Sequence, residues 1–241
     1  MIKSNALRQG AWEFKLSLKN GEQFLLLVII PVAVFLALTQ TAIIGGEKWD
    51  IAEALSASIT VSVLAAGFTS LAIATAFERR SGTLVTMGVT PISRVELVVG
   101  KTLSTVYLAA ISVLVLGLVA LVLGWRPTMS ATLIPLILLL GIASVTGFAF
   151  LLAGTVRAEA VLALANGIFV FAMIFGGIVF QYSGTVGTVI ELFPPAALSN
   201  CMSHVLDSTS PDSPPFLVSI GVLLVWSVVG TLASAKFFKW R

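Results

Sequence analysis

Six long apolar runs follow one another along this chain and constrain its fold more than any other feature. They cover residues 24–44, 51–77, 103–124, 131–156, 161–180 and 216–238. A bilayer's hydrocarbon core is about 30 Å thick, and an α-helix needs ~20 apolar residues to cross it. Because charged residues make up only 10% of the chain, too little polar surface remains to coat a water-soluble globule. The runs predict an all-α integral membrane protein, one transmembrane domain of six helices over residues 1–241.

Positive charge is distributed unequally between the two sides of these runs. Loops rich in Lys and Arg stay in the cytoplasm. Only Lys48 and Arg126 flank the runs on one side, and the other side carries Lys3, Arg8, Lys15, Lys19, Arg79, Arg80, Arg94, Lys101, Arg157, Lys236, Lys239 and Arg241. The bias predicts a multi-pass topology with both termini in the cytoplasm.

The segment before the first run, residues 1–23, has an amphipathic pattern. Its apolar face carries Leu7, Ala11, Phe14 and Leu18 at helical spacing. Trp12 is a residue type that concentrates at membrane interfaces. The pattern favours a helix lying in the cytoplasmic interface over a solvated tail.

The segment between the last two runs, residues 181–215, is only partly polar. Apolar residues surround Pro194 and Pro195, and a piece rich in Ser, Asp and Pro follows from Asp207. Irregular backbone at membrane depth is tolerated where protein or a cavity surrounds it. We expect a helical hairpin that re-enters the outer leaflet, and the alternative is a surface loop with amphipathic turns.

The cytoplasmic interval of residues 78–102 is the most informative polar stretch. Gly82 and Pro91 interrupt it. A helix capped by Thr90 or Ser93 is predicted to continue into the third run; it would carry Arg94, Glu96 and Lys101. The alternative is an ordinary connecting loop, which would not need this length.

Motifs for chemistry within this chain are weak. Gly100-Lys101-Thr102 resembles the end of a phosphate-binding loop, but Val95 stands where a Gly is needed and no buried strand precedes it. One histidine, His204, and one cysteine, Cys201, give little support for a metal site or a catalytic triad. We therefore predict no catalytic residue, no metal and no cofactor in this chain. The Ala143/Gly147 pair, which permits close helix approach, is interpreted as packing.

The chain resembles a known protein family, the ABC type-2 permeases. The resemblance rests on Glu78-Arg79-Arg80, on Gly82-Thr83-Leu84, on Thr90-Pro91-Ile92-Ser93-Arg94 and on Gly100-Lys101 before the third run. Gly176-Gly177 and Leu192-Phe193-Pro194-Pro195 extend it. Asn20-Gly21-Glu22-Gln23 and Leu123-Gly124-Trp125-Arg126-Pro127 are further similar to actinobacterial permeases of antibiotic or multidrug type.

The resemblance implies one membrane subunit of an ABC exporter in the bacterial cytoplasmic membrane. Two such subunits, identical or paralogous, would pair. Each would seat a short helix, about residues 90–101, in a separate cytoplasmic ATPase subunit that binds ATP and Mg. The residues implied in this ATPase coupling are Glu78, Arg79, Arg80, Thr90, Pro91, Ser93, Arg94, Glu96 and Lys101.

The cargo is less well defined by the sequence than the architecture. Polar interruptions of the runs suggest a path through Gln40, Thr60, Thr69 and Asn166, with Thr39, Ser62 and Ser70 nearby. No run has a central charge, whereas an ion path normally carries one. A hydrophobic or amphipathic cargo is therefore expected, such as a drug or antibiotic, a lipid or a haem-like molecule.

Two other classes of protein remain as alternatives. An ion-gradient-driven secondary transporter would show inverted repeats and broken helices with buried charges. A membrane enzyme or assembly factor acting on lipid would need His, Asp, Glu or Cys side chains converging at one membrane face. The sequence displays neither pattern clearly.

Overall fold

The described part of the chain is built from helices. The computed structural model describes residues 10–14, 25–41, 48–83, 94–178, 180, 182, 184–208 and 214–238. Its α-helices are α1 (Ile30–Gln40), α2 (Ile51–Leu64), α3 (Leu71–Arg80), α4 (Arg94–Val122), α5 (Ile134–Thr155), α6 (Ala158–Phe175), α7 (Gly184–Ile190), α8 (Pro194–Val205) and α9 (Phe216–Phe237). Two π-helical segments, π1 (Leu25–Ile29) and π2 (Ala65–Ser70), precede α1 and join α2 to α3, and a 3-10 helix (Met129–Leu133) precedes α5. Residues 10–14 are also helical.

Five helices in the described residues are long and apolar enough to cross a membrane. They are Ile51–Arg80, Val95–Val122, Met129–Thr155, Ala158–Phe175 and Phe216–Phe237. The first apolar run contributes the shorter apolar helix Leu27–Gln40, and residues 42–47 at its end lie outside the described residues. The all-helical membrane architecture is confirmed, and a sixth span stays a prediction.

Helix boundaries differ from the apolar runs where charged residues continue a helix. The third apolar run starts at Leu103, and α4 begins at Arg94 and continues unbroken to Val122, in agreement with the predicted helix that carries Arg94, Glu96 and Lys101 into this run. The second run was expected to end at Phe77, but α3 continues through Arg80. Hydropathy locates the part of a helix that suits lipid, whereas backbone hydrogen bonds continue as long as the residues tolerate helical geometry. Two parts of the 78–102 interval, residues 78–80 and 94–102, are thus the ends of candidate spanning helices.

The helix formed by the fifth apolar run is shorter at its end than the run itself. We expected it to reach Phe180, but α6 stops at Phe175. Gly177 follows with a φ of 71°, a left-handed conformation that favours glycine. A Cβ atom there would also lie 3.1 Å from Ile190 and 3.2 Å from Ala196. The chain therefore turns at this glycine and runs into the α7–α8 region.

The helices form an antiparallel bundle with two distinct ends. We call the end where α3 stops and α4 starts the Lys101 end; α5 also finishes there. The opposite end, where α2 starts and α7 and α8 lie, is the hairpin end. The π2 segment joins α2 and α3 into one continuous helix, Ile51–Arg80, which we call the α2–α3 column. In the most apolar stretch of this column, 83% of the residues are buried. This column is the centre around which the other spans pack.

Helices α5 and α9 cross with their backbones in direct contact. A Cβ atom built on Gly147 would lie 2.3 Å from the carbonyl carbon of Gly230. Since real Cβ contacts are never that short, the two backbones touch at this point with no room for a side chain. The interpretation of Gly147 as a packing residue is confirmed, and its packing partner is another glycine.

The segment predicted as a hairpin or a surface loop contains two helices, α7 and α8, that turn at residues 191–193. Helix α8 is buried against α2: the Ser56 hydroxyl donates to the Ser199 carbonyl at 2.9 Å. At the turn, Trp226 Nε1 donates to the Leu192 carbonyl at 2.7 Å. Trp226 lies ten residues into α9, which corresponds to about 15 Å along the helix. The turn of the hairpin therefore lies beside the middle of α9.

Candidate functional site

A buried cluster of charges joins three segments at the Lys101 end. The Lys101 Nζ atom lies 2.7 and 2.6 Å from the two carboxylate oxygens of Glu78. It also lies 3.2 and 3.3 Å from those of Glu13. Lys101 belongs to α4, Glu78 to the last turns of α3, and Glu13 to the helical residues 10–14. One ammonium group therefore connects the N-terminal helical residues, α3 and α4.

Burial makes this cluster energetically important. The Lys101 side chain is only 2% exposed, compared with 14% for Glu13 and 23% for Glu78. Removing one partner of a buried ion pair leaves an uncompensated charge and costs about 3–5 kcal/mol. The cluster therefore joins the three segments, and Lys101 is the cation that compensates both carboxylates.

The two arginines after Glu78 extend the connection to the α5–α6 turn. The Arg79 guanidinium donates to the backbone carbonyl of Val156. Arg80 forms an ion pair with Glu159 in the first turn of α6. Both side chains of that pair are well exposed, so we expect it to contribute at most about 1 kcal/mol. Glu78, Arg79 and Arg80 thus connect α3 to α4, to the α5–α6 turn and to the first turn of α6.

The remaining predicted coupling residues are only partly described. Thr90, Pro91 and Ser93 lie outside the described residues, as does the side chain of Arg94. Glu96 is 5% exposed and sits in the first turn of α4. Of the predicted set, Glu96 and Lys101 face inward and Arg80 faces outward. Their part in a contact with an ATPase stays a prediction.

The outward face at the start of α4 is apolar. Val95 is 67% exposed and Val99, one turn later, is 42% exposed. Residues four apart lie on the same side of a helix, so the two valines form one exposed patch next to the Lys101 cluster. The sequence analysis of this stretch considered its charged and polar residues and did not single out these two valines.

The predicted cargo-path residues do not form one surface. Thr60 and Thr69 are buried in the α2–α3 column, and the Thr60 hydroxyl donates to the Ser56 carbonyl at 3.0 Å. Gln40 is exposed at the last residue of α1, and Asn166 is exposed near the middle of α6. The structure separates the four into an interior pair and an exterior pair.

A cavity of about 470 Å³ lies at the hairpin end, between the start of α2 and the α7–α8 hairpin. Ligand pockets in proteins usually measure about 300–1,000 Å³. It is lined by Trp49, Glu53, Ala57, Gly177, Ile178, Tyr182, Gly184, Gly187, Thr188, Ile190, Glu191, Ala196, Ser199, Asn200, Ser203 and Ser208. None of the four predicted cargo-path residues is among them. Residues from distant parts of the sequence form this cavity, which is why no local motif indicated it.

His204 and Cys201 both have structural surroundings in α8. The His204 Nε2 atom lies 2.9 Å from the Pro214 carbonyl, and its ring packs edge-on against Phe216. Cys201 is fully buried. Within the described ranges, no three His, Cys, Asp or Glu side chains come together as a potential metal site.

Glu13 is the cluster member that the sequence interpretation did not single out. Glu13 lies in the amphipathic segment of residues 1–23, which was interpreted from its apolar face. One signal was available: Glu13 is the only acidic residue among the first 19, and Lys101 lies at the edge of an apolar run. An acidic side chain among basic ones can pair with several cations, and only the folded chain shows that Glu13 contacts Lys101.

Comparison with known proteins identifies the family of this chain. A search of curated proteins returns none that matches this chain. A family model described as ABC-2 type transporter matches residues 10–192 of the 241-residue chain. The match includes Glu13, Glu78 and Lys101 together with four of the five candidate spans. The chain therefore belongs to the ABC-2 type transporter family, whose members are membrane transport components and not themselves catalysts.

Proposed function

We propose that this chain is the permease subunit of an ABC exporter, driven by a separate ATPase subunit in the bacterial cytoplasm. The family match over residues 10–192 carries this proposal. The cargo is hydrophobic or amphipathic, since the described spans have no charged side chain at their centre. Helix α1 serves as the sixth span, both termini lie in the cytoplasm, and the α7–α8 hairpin re-enters the outer leaflet.

The Lys101 end suits the transmission of force from an ATPase. Helix α4 is continuous over 29 residues, so its first turns move together with its membrane-spanning part. Lys101 ties those turns to α3 and to residues 10–14, and Arg79 ties α3 to the α5–α6 turn. A displacement of the start of α4 would thus be shared by most of the bundle.

The exposed valines at the start of α4 provide the test of ATPase contact. We expect Val95→Asp to release the co-purifying ATPase subunit, or to lower ATP hydrolysis by the complex at least tenfold, because it places a charge in an apolar contact. The measurement is ATPase activity and subunit ratio after mild-detergent purification from the native host.

Val122→Asp is the matched control, because Val122 ends the same helix at the hairpin end and is 86% exposed. It should leave the bound ATPase and its activity unchanged. Equal effects of the two substitutions, or the absence of any ATPase with the wild-type chain, would contradict the proposed function.

A second permease subunit is expected to cover part of α6. This helix is the least covered of the candidate spans together with α9, with 17% of its apolar stretch buried. Its exposed face carries the carboxamide of Asn166 beside Gly167. A polar side chain facing lipid is unfavourable, whereas small and amide residues promote helix pairing in membranes. We infer that the two subunits pair through this face.

Disulfide cross-linking tests this pairing directly. Gly167→Cys should give a cross-linked permease dimer in oxidised membranes, and the native Cys201 should not interfere because it is buried. Val225→Cys on the exposed face of α9 is the control and should give none. Cross-linking at Val225 alone, or at neither position, would place the partner elsewhere.

A further inference from the structure

The cavity at the hairpin end has a mainly polar lining that includes two acidic residues. Glu53 from the first turn of α2 and Glu191 from the α7–α8 turn both line it. The described lining contains no Lys or Arg. The nearest basic side chain in the sequence, Lys48, is exposed and does not line the cavity. Two carboxylates around a partly enclosed space create a negative potential that attracts positively charged ligands.

The rest of the lining suits a cation that also carries apolar surface. Trp49 and Tyr182 offer aromatic rings, and the faces of such rings attract ammonium and similar groups. Thr188, Asn200 and Ser203 add side-chain oxygens to the lining. The Thr188 hydroxyl donates to the Gly184 carbonyl at 3.3 Å, and the Ser203 hydroxyl lies 3.0 Å from that of Ser56, and each oxygen can still accept a hydrogen bond. Ala57, Ile178 and Ile190 add apolar contact. An inorganic cation would use only the oxygens, whereas an amphipathic organic cation would use all of these groups.

The position of the cavity matches an exit site. It is bounded by the hairpin, whose turn lies beside the middle of α9, and by the start of the central α2–α3 column. Glycines at Gly177, Gly184 and Gly187 line the same wall. The cavity therefore extends from the hairpin end into the bundle, on the side opposite to the Lys101 cluster.

We propose that this cavity binds the cationic part of the exported cargo, so that the substrates of this permease are amphipathic organic cations. The proposal rests on the export function proposed above and narrows it. Glu53 and Glu191 supply the electrostatic selection, and Trp49 and Tyr182 contact the apolar part of the ligand. Neutral compounds of the same shape lack a positive charge, zwitterions carry a carboxylate that the two glutamates repel, and anions are repelled as a whole.

Binding of a fluorescent dye to the isolated permease tests the inference. The purified chain is placed in nanodiscs of phosphatidylcholine, and fluorescence anisotropy follows rhodamine 6G, a lipophilic cation, or rhodamine B, a zwitterion with the same ring system. Glu53→Gln and Glu191→Gln should each weaken rhodamine 6G binding roughly tenfold, and the double variant more strongly. Binding of rhodamine B should be weaker and insensitive to both substitutions.

Asp207→Asn is the control, because Asp207 is an exposed carboxylate at the same end that does not line the cavity. It should bind rhodamine 6G like the wild type. Equal rhodamine 6G affinity in all variants that keep the wild-type melting profile would overturn the proposal. Calcium binding with the same dependence on the two carboxylates, without dye binding, would overturn it too. Neither outcome affects the co-purification of an ATPase, which tests the export function separately.

Discussion

Gly147→Ala is expected to destabilise the protein by about 3 kcal/mol, at the upper end of the range for overpacked cores. The added Cβ atom would lie 2.3 Å from the carbonyl carbon and 2.6 Å from the amide nitrogen at Gly230–Thr231. These are backbone atoms, so no side-chain rotation relieves the clash and α5 must move away from α9. The measurement is equilibrium unfolding in mixed micelles of a mild detergent and SDS.

Gly221→Ala provides the comparison, because a Cβ atom at Gly221 meets nothing within 4 Å. Gly221 lies in α9, the same helix that contacts Gly147. Replacing an unpacked helical glycine by alanine should leave stability unchanged or raise it by up to about 1 kcal/mol. Equal stability of the Gly147→Ala and Gly221→Ala variants would show that the α5–α9 crossing is looser than described.

Lys101→Met is expected to cost about 3–5 kcal/mol of stability, the range for breaking a buried ion pair. The substitution keeps the length of the side chain and removes its charge. Glu13 and Glu78 would then face each other in a poorly solvated site without a cation, and their repulsion would separate residues 10–14 from α3. The same unfolding measurement applies.

Two further variants separate this electrostatic effect from a packing effect. Lys48→Met replaces an exposed lysine at the hairpin end and should change stability by less than about 0.5 kcal/mol. Adding Glu78→Gln to Lys101→Met should restore part of the loss, because one of the uncompensated charges is removed. A double variant whose losses simply add would contradict the ion cluster.

Local sequence patterns were enough to predict the class of this protein and most of its long helices. Runs of apolar residues long enough for a bilayer predicted spanning helices, and five of them are confirmed as candidates. The family resemblance, drawn from the 78–102 interval and the flanking motifs, agrees with the match over residues 10–192. These properties follow from local composition, because a helix in lipid satisfies its own backbone and needs only a sufficient apolar length.

Other properties were decided only by the tertiary structure, because they depend on contacts between residues far apart in the chain. Lys101 forms an ion pair with Glu13, which is 88 positions away in the sequence. Hydropathy does not show which acidic residue lies near which basic one. The contact of Gly147 with Gly230 depends on where two helices cross. The cavity needs α2 and the α7–α8 hairpin side by side. The ends of α3 at Arg80 and of α6 at Phe175 were also missed, since they depend on hydrogen bonding and on a glycine turn and not on apolar length.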